Sequence, residues 1–145
     1  MSRTTPLTRD DFNFWTEIEV RWGDQDPMGH VNNARYFTYM ETARVHFFEH
    51  LGLTSLMQED RQGMSLLSIN GTFFKEVHYP ATLEVGTRVT RIGNTSFHLE
   101  QGFFLKGTDV HTTEGKAVMV WVDYERRKSA PVPDELRAGL ERFYS

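Results

Sequence analysis

The sequence predicts an α+β domain in which a curved antiparallel sheet of about five strands wraps around one long helix. Three observations carry that expectation. Over residues 16–22, Ile18, Val20 and Trp22 alternate with Glu17, Glu19 and Arg21, the period of a half-buried strand. Over residues 34–51 the period lengthens to that of a helix, because Tyr36, Met40, Ala43, Phe47 and Leu51 recur on one face. Four strand-like runs follow, residues 64–79, 82–91, 95–106 and 110–124, parted by Tyr79-Pro80, Gly93-Asn94 and Lys106-Gly107-Thr108-Asp109. These breaks read as hairpin connections.

Each element has its own signals. Residues 1–12 are polar and are expected to form a flexible lead. Asn32 or Asn33 supplies the helix N-cap, and Gly52 followed by Leu53 resembles a Schellman stop. A helix of about 18 residues spans roughly 27 Å, close to a strand of eight or nine residues, so it can lie along the sheet. Leu83, Val85 and Val89 share one face of their strand, as do Phe97, Leu99, Phe103 and Leu105 of the next, while Glu84, Arg88, His98 and Glu100 face away. Val118 to Val122 is apolar on both faces, as expected for a central strand covered on both sides by a helix or a partner subunit. Residues 133–144 read as a short terminal helix opened by Asp134 and Glu135.

With 145 residues the chain is expected to be a single domain, 1–145. Its 39% apolar, 25% charged and 13% aromatic residues are a soluble globular composition. The net charge of −4 argues against a general nucleic-acid binder. There is no cysteine, which excludes disulfides, a thiolate nucleophile and thiolate metal sites. No signal-peptide pattern and no membrane-length apolar run is evident, so a cytoplasmic protein that does not bind membranes is expected.

The chemistry concentrates in Arg21-Trp22-Gly23-Asp24-Gln25-Asp26-Pro27-Met28-Gly29-His30-Val31-Asn32-Asn33. A strand that ends in an acid-rich turn just before a helix can aim a carboxylate and free backbone N–H groups at one electrophile. Acids in such a turn also serve as caps and turn formers, and that reading is the stronger one for Asp24.

The stretch from Asp24 to Asn33, with Tyr36 just inside the helix, resembles the signature of hot-dog-fold thioesterases of the 4-hydroxybenzoyl-CoA thioesterase type, in the His-Val-Asn-Asn variant of long-chain acyl-CoA and acyl-carrier-protein thioesterases. The element order over residues 16–124 agrees with that fold. The resemblance implies hydrolysis of an acyl-CoA thioester by a homodimer or homotetramer with active sites at subunit interfaces. It places the catalytic carboxylate on Asp26 and, at the helix N-terminus, the backbone N–H facing the thioester oxygen on Asn33. His30 matches a histidine that assists in some members, and its role stays open between chemistry and support. A non-catalytic acyl-thioester binding module and an acyl-carrier-protein thioesterase are the alternatives.

Thioester hydrolysis needs a nucleophile or an activated water, and donors for the charge that develops on the carbonyl oxygen. Asp26 could attack the carbonyl or deprotonate a water. Thiolate leaves readily, so no dedicated general acid is needed, and no metal or cofactor is expected. His46-Phe47-Phe48-Glu49-His50 matches the H-x-x-E-H pattern of inverted zincins, but it lacks a third ligand and reads as coincidence. No G-x-S-x-G elbow occurs. Secondary candidates are Glu41 as a helix carboxylate in the same cleft, and Arg88, Arg91, Arg126, Arg127 and Lys128 for coenzyme A phosphates. Phe73, Phe74, Phe103 and Phe104 are candidates for an acyl pocket.

Overall fold

The computed structural model describes residues 6–53 and 61–144. Strand β1 (Trp15–Glu19) leads through an irregular segment into helix α1 (Asn33–His50), followed by β2 (Gln62–Phe73), β3 (Thr82–Ile92), β4 (Ser96–Leu105), β5 (His111–Asp123), the two-residue β6 (Lys128–Ser129) and helix α2 (Asp134–Glu141). The sheet runs β1-β3-β4-β5-β2 with β6 added beside β5, and every pairing is antiparallel. This is the expected five-strand sheet around one long helix.

Gly93-Asn94 and residues 106–109 do connect neighbouring strands. Tyr79-Pro80 does not: β2 pairs with β5, at the opposite edge of the path from β1. Residues 74–81 therefore cross from the β2 edge to the β3 side of the sheet. Both Phe74 and Lys75 donate their N–H groups to Thr112 O, at 2.8 and 3.2 Å. That shared acceptor ends the ladder at Phe73, short of the expected residue 79.

The first strand also stops early. Val20 N–H donates to Ala81 O at 2.9 Å, but Arg21 N–H turns to the Asp24 carboxylate at 3.0 Å. The chain then winds into a 3₁₀ turn over Trp22–Asp24, which leaves Trp22 73% exposed instead of on the core face. At the C-terminus, α2 ends at Glu141 because Phe143 O accepts from Val89 N–H at 3.0 Å, drawing the last residues onto β3.

Helix α1 lies on the concave face with Tyr36, Tyr39, Met40, Ala43, Phe47 and Phe48 buried. Close approach is possible because β5 carries Gly115: a Cβ there would stand 2.8 Å from Met40 Sδ. Toward one end Phe47, Phe97, Leu99 and Trp121 pack with Leu136 and Leu140 of α2. Toward the other, Val31, Tyr36, Met40, Val77, Val85 and Phe103 form a second cluster beneath the irregular segment. Of the expected flexible lead, residues 6–12 fall within the described part, and Leu7 and Phe12 are buried against Phe104 on the outer face.

Arg44 is the exception on the helix, buried with its Nη1 lacking a hydrogen-bond partner among the described residues. Burial holds its guanidinium below the ordinary arginine range, opposed by the Glu41 carboxylate.

Candidate active site

The site is built from the segment between β1 and α1, and its two carboxylates are held in opposite ways. Asp24 is 1% exposed. Its carboxylate accepts from Tyr39 Oη at 2.6 Å, Arg21 N–H at 3.0 Å and Arg21 Nη2 at 2.9 Å, and its carbonyl accepts from Asn32 N–H at 2.9 Å. Burial alone would raise this carboxyl, but the Tyr39 hydroxyl and the two Arg21 donors outweigh it and hold the group below the ordinary carboxylate range. Burial, and then the Asp24 carboxylate, push the Tyr39 hydroxyl well above its ordinary range. Asp24 thus ties β1, the turn and α1 together.

Asp26 closes the tip of the loop. Its N–H donates to His30 O at 2.8 Å and its carbonyl accepts from Gly29 N–H at 3.0 Å, with Gly29 at φ 87°, a conformation that favours glycine. One carboxylate oxygen, Oδ1, accepts from the N–H groups of Met28 and His30 at 2.9 and 3.4 Å. The other, Oδ2, lies 3.4 Å from His30 Nδ1, and the Asp26 side chain remains 22% exposed. Its anchorage is local and leaves one oxygen directed at a titratable ring.

The helix begins directly after this loop. Asn32 is the N-cap, accepting Ala34 N–H on Oδ1 at 2.9 Å. Asn32 N–H goes to Asp24 O, and Arg35 N–H goes to Asn32 O at 2.9 Å. Among the described residues, these acceptors leave the N–H of Asn33, the first helical residue, untaken. An unpaired N–H at the positive end of an 18-residue helix is a donor for a developing oxyanion.

Two further side chains join the site from the β2–β3 crossover. His30 Nε2 lies 3.7 Å from Glu76 Oε1. His78 places Nδ1 2.9 Å from Gly29 O and Nε2 3.7 Å from Glu76 Oε2. Val31 N–H donates to Val77 O at 2.8 Å, which clips the crossover to the loop. Glu76 and His78 are absent from the sequence-based candidates because residues 64–79 read as one strand. Had Lys75 to Pro80 been recognised as a crossover, the Glu-x-His pattern would have been the signal.

The secondary candidates separate clearly. Glu41 is exposed, two turns along α1 from Asn33. His46 Nδ1 lies 2.7 Å from Thr16 Oγ1, and both His46 and His50 pack on Phe14. No group of three potential metal ligands occurs among the described residues. Arg88 is paired with Glu100. Arg126, Arg127 and Lys128 lie beyond the C-terminal end of β5, whose last residue Asp123 pairs with Gln62; Asp26 belongs to the opposite end, where β1 finishes. The phenylalanines divide by face. Phe73 and Phe103 meet Tyr36 at 5.3 and 5.7 Å on the concave side, whereas Phe74 and Phe104 meet His111 on the outside.

Comparison with known proteins points the same way as this geometry. Residues 20–140 match the model of the thioesterase-like superfamily. The crystal structure of the PA5185 protein from Pseudomonas aeruginosa strain PAO1 superimposes with a TM-score of 0.87 at 32% identity, covering 95% of this chain and 96% of that one. The long-chain acyl-CoA thioesterase FadM of Escherichia coli (strain K12) is 25% identical over 128 residues, 88% of this chain and 97% of the relative. The chloroplastic acyl-acyl carrier protein thioesterase ATL2 of Arabidopsis thaliana is 26% identical over 129 residues, 88% of this chain and 68% of the relative.

Proposed function

We propose a substrate and a mechanism for this chain, which belongs to the thioesterase-like superfamily, has its hot-dog fold and is a thioester hydrolase. The substrate is an acyl-CoA, cleaved to the free carboxylic acid and coenzyme A. Asp26 is the reacting carboxylate, the backbone N–H of Asn33 is the oxyanion donor, and His30 holds Asp26 in place. The observation that carries this reading is the pairing, in one short loop, of a locally anchored, part-exposed carboxylate with an untaken helix N-terminal N–H. The similarity to FadM supports coenzyme A as the carrier, and the His30-Val31-Asn32-Asn33 sequence supports placement with the 4-hydroxybenzoyl-CoA thioesterase type.

Two routes use the same atoms. In one, Asp26 takes a proton from a water whose oxygen attacks the thioester carbonyl; in the other, Asp26 Oδ2 attacks and water then hydrolyses the mixed anhydride. In both, negative charge gathers on the carbonyl oxygen, the C–S bond breaks and the thiolate leaves with its electron pair. The Asn33 N–H strengthens its bond as that charge develops, and losing such a donor in other enzymes costs roughly 10²- to 10³-fold in rate. The concave Phe73, Phe103 and Tyr36 cluster suits an apolar acyl group beside the helix.

A homodimer belongs to this reading. Among the described residues the 12-residue strand β2 is paired only with β5, which leaves one edge open, with Leu66 and Leu67 exposed. Arg44 lies two turns after Phe37 on the same helical stripe, and Phe37 meets Phe73 of β2; a second copy along that edge would give its orphaned Nη1 a partner. A cytoplasmic setting is part of the same proposal.

Free-thiol release from a panel of acyl-CoAs by the wild type and by Asp26→Asn tests the assignment. Turnover by the wild type with loss in the variant supports it, whereas full activity in the variant overturns the role of Asp26. Tight binding without turnover would favour a binding module. Turnover of acyl-carrier-protein thioesters alone would favour the second reading, to which the similarity to ATL2 points.

A further inference from the structure

We infer that the outer-face cavity between the N-terminal segment, the end of β2 and the start of β5 receives the phosphorylated nucleotide end of coenzyme A. This inference rests on the acyl-CoA reading and adds a place for the half of the substrate that the Asp26 loop does not address. An acyl-CoA carries its charge and its adenine at the far end of the pantetheine arm from the thioester. A site for them has to lie within reach of that arm from Asp26 and outside the acyl pocket.

The half-open cavity has a volume of about 890 Å³ and is lined by Lys75, Lys116, Phe74, His111, Thr8 and Thr72 among others, a size suited to a small-molecule group. Its connection to the reacting carboxylate runs along the crossover. Phe74 and Lys75 are fixed to Thr112 O at the cavity edge, and the next residue, Glu76, approaches His30, which in turn meets Asp26. Residues 74–78 extended span roughly 15 Å, so cavity and loop tip are the two ends of one short segment.

The chemistry of the lining fits the nucleotide. Lys75 and Lys116 are exposed, and among the described residues neither is tied up in an ion pair. The other strong cations near this end are engaged: Arg21 with Asp24, Lys106 with Glu17, and Arg9 with Glu84. Phe74 is 51% exposed and packs at a tilt against His111, 5.1 Å between ring centres, while His111 stacks on Phe104 at 4.9 Å. Phe74 therefore has a backed aromatic surface on which adenine can stack. Of the two acids that line the cavity, Glu114 is buried beneath it, and Asp109, 97% exposed, turns outward with its carboxylate 3.7 Å from Arg9 Nε. The anionic character is therefore kept below and beside the two lysines. The cations singled out from sequence do not compete: Arg91, at the far end of β3, and Arg126, Arg127 and Lys128 sit at the other end of the sheet, and Arg88 is paired.

The test compares substrates with and without the nucleotide. KM and kcat are measured for an acyl-CoA and for the same acyl group on pantetheine, using the wild type, Lys75→Glu, Lys116→Glu and the double variant, alongside calorimetric titration of each protein with free coenzyme A. Each charge reversal is expected to raise KM for acyl-CoA roughly tenfold, to weaken coenzyme A binding by the same factor, and to spare acyl-pantetheine. Phe74→Ala is expected to weaken coenzyme A binding roughly tenfold. An unchanged KM for acyl-CoA, equal losses on both substrates, or unchanged binding of free coenzyme A would each overturn the nucleotide site. Failure of the wild type to cleave either thioester would overturn the acyl-CoA reading instead, and the titration then decides the cavity by itself.

Discussion

Asp24 and Asp26 stand two residues apart in one loop and live in different worlds. Asp24 is fully buried, bound by Arg21 and Tyr39, and its charge is spent inside the protein. Asp26 is held by backbone N–H groups of its own loop, faces the His30 ring and keeps contact with solvent. The contrast teaches how a short segment divides structural and chemical work: a carboxylate with strong side-chain partners fixes geometry, and one held only at its back stays available to react. On the proposed mechanism the turn would lose its shape without the first and its chemistry without the second.

The sharpest way to break this contrast is at Asp26. Asp26→Asn is expected to lower kcat/KM by roughly 10²- to 10⁴-fold while shifting the thermal midpoint little, measured by thiol release and calorimetry. Asp24→Ala is expected to do the reverse in kind. Removing a buried carboxylate and stranding Arg21 and Tyr39 should cost about 3 kcal/mol in urea unfolding, with activity falling as a consequence. His30→Gln sharpens the boundary between the two roles: it is expected to lower kcat roughly 10- to 100-fold through misplacement of the carboxylate, with unchanged unfolding free energy.

Smaller effects probe the Asp24 side. Tyr39→Phe removes one hydrogen bond to a buried charge and is expected to cost about 2 kcal/mol of stability. The pH dependence follows from the lowered Asp24 carboxyl. A carboxyl held lower in the folded than in the unfolded chain contributes stability that is fully present above the ordinary value of about 4 and is lost as pH falls through the folded-state value. Acid unfolding curves of the wild type should show that loss, and Asp24→Asn should flatten it.

Helix α1 was legible from its apolar stripe, from Asn32 at its start and from Gly52 at its end, because local spacing and capping decide a helix. The β3-β4-β5 meander was legible for the same reason, its turns being marked by Gly93-Asn94 and Gly107. The partner of β2 was not: a strand-like run over residues 64–79 reports an extended chain and says nothing about which neighbour completes its ladder. That gap hid Glu76 and His78, which reach the loop only through the crossover. Trp22 continued the alternation of β1 in sequence, yet the Arg21–Asp24 contact turned it to solvent. The phenylalanine pairs show the limit from the other side, since adjacent residues on a strand must part to opposite faces and only the sheet decides which is inner. The motif itself located Asp24, Asp26 and His30 in one loop and Asn33 at the start of the helix that follows; their separate bonding is a property of the folded turn.

The most direct test of the division of labour measures kcat/KM for an acyl-CoA and unfolding free energy side by side for Asp24→Asn and Asp26→Asn. The expected result is a crossed pattern, with Asp26→Asn folded as the wild type and inactive, and Asp24→Asn less stable yet catalytically competent in its folded fraction. A stable, inactive Asp24→Asn together with an active Asp26→Asn would contradict it.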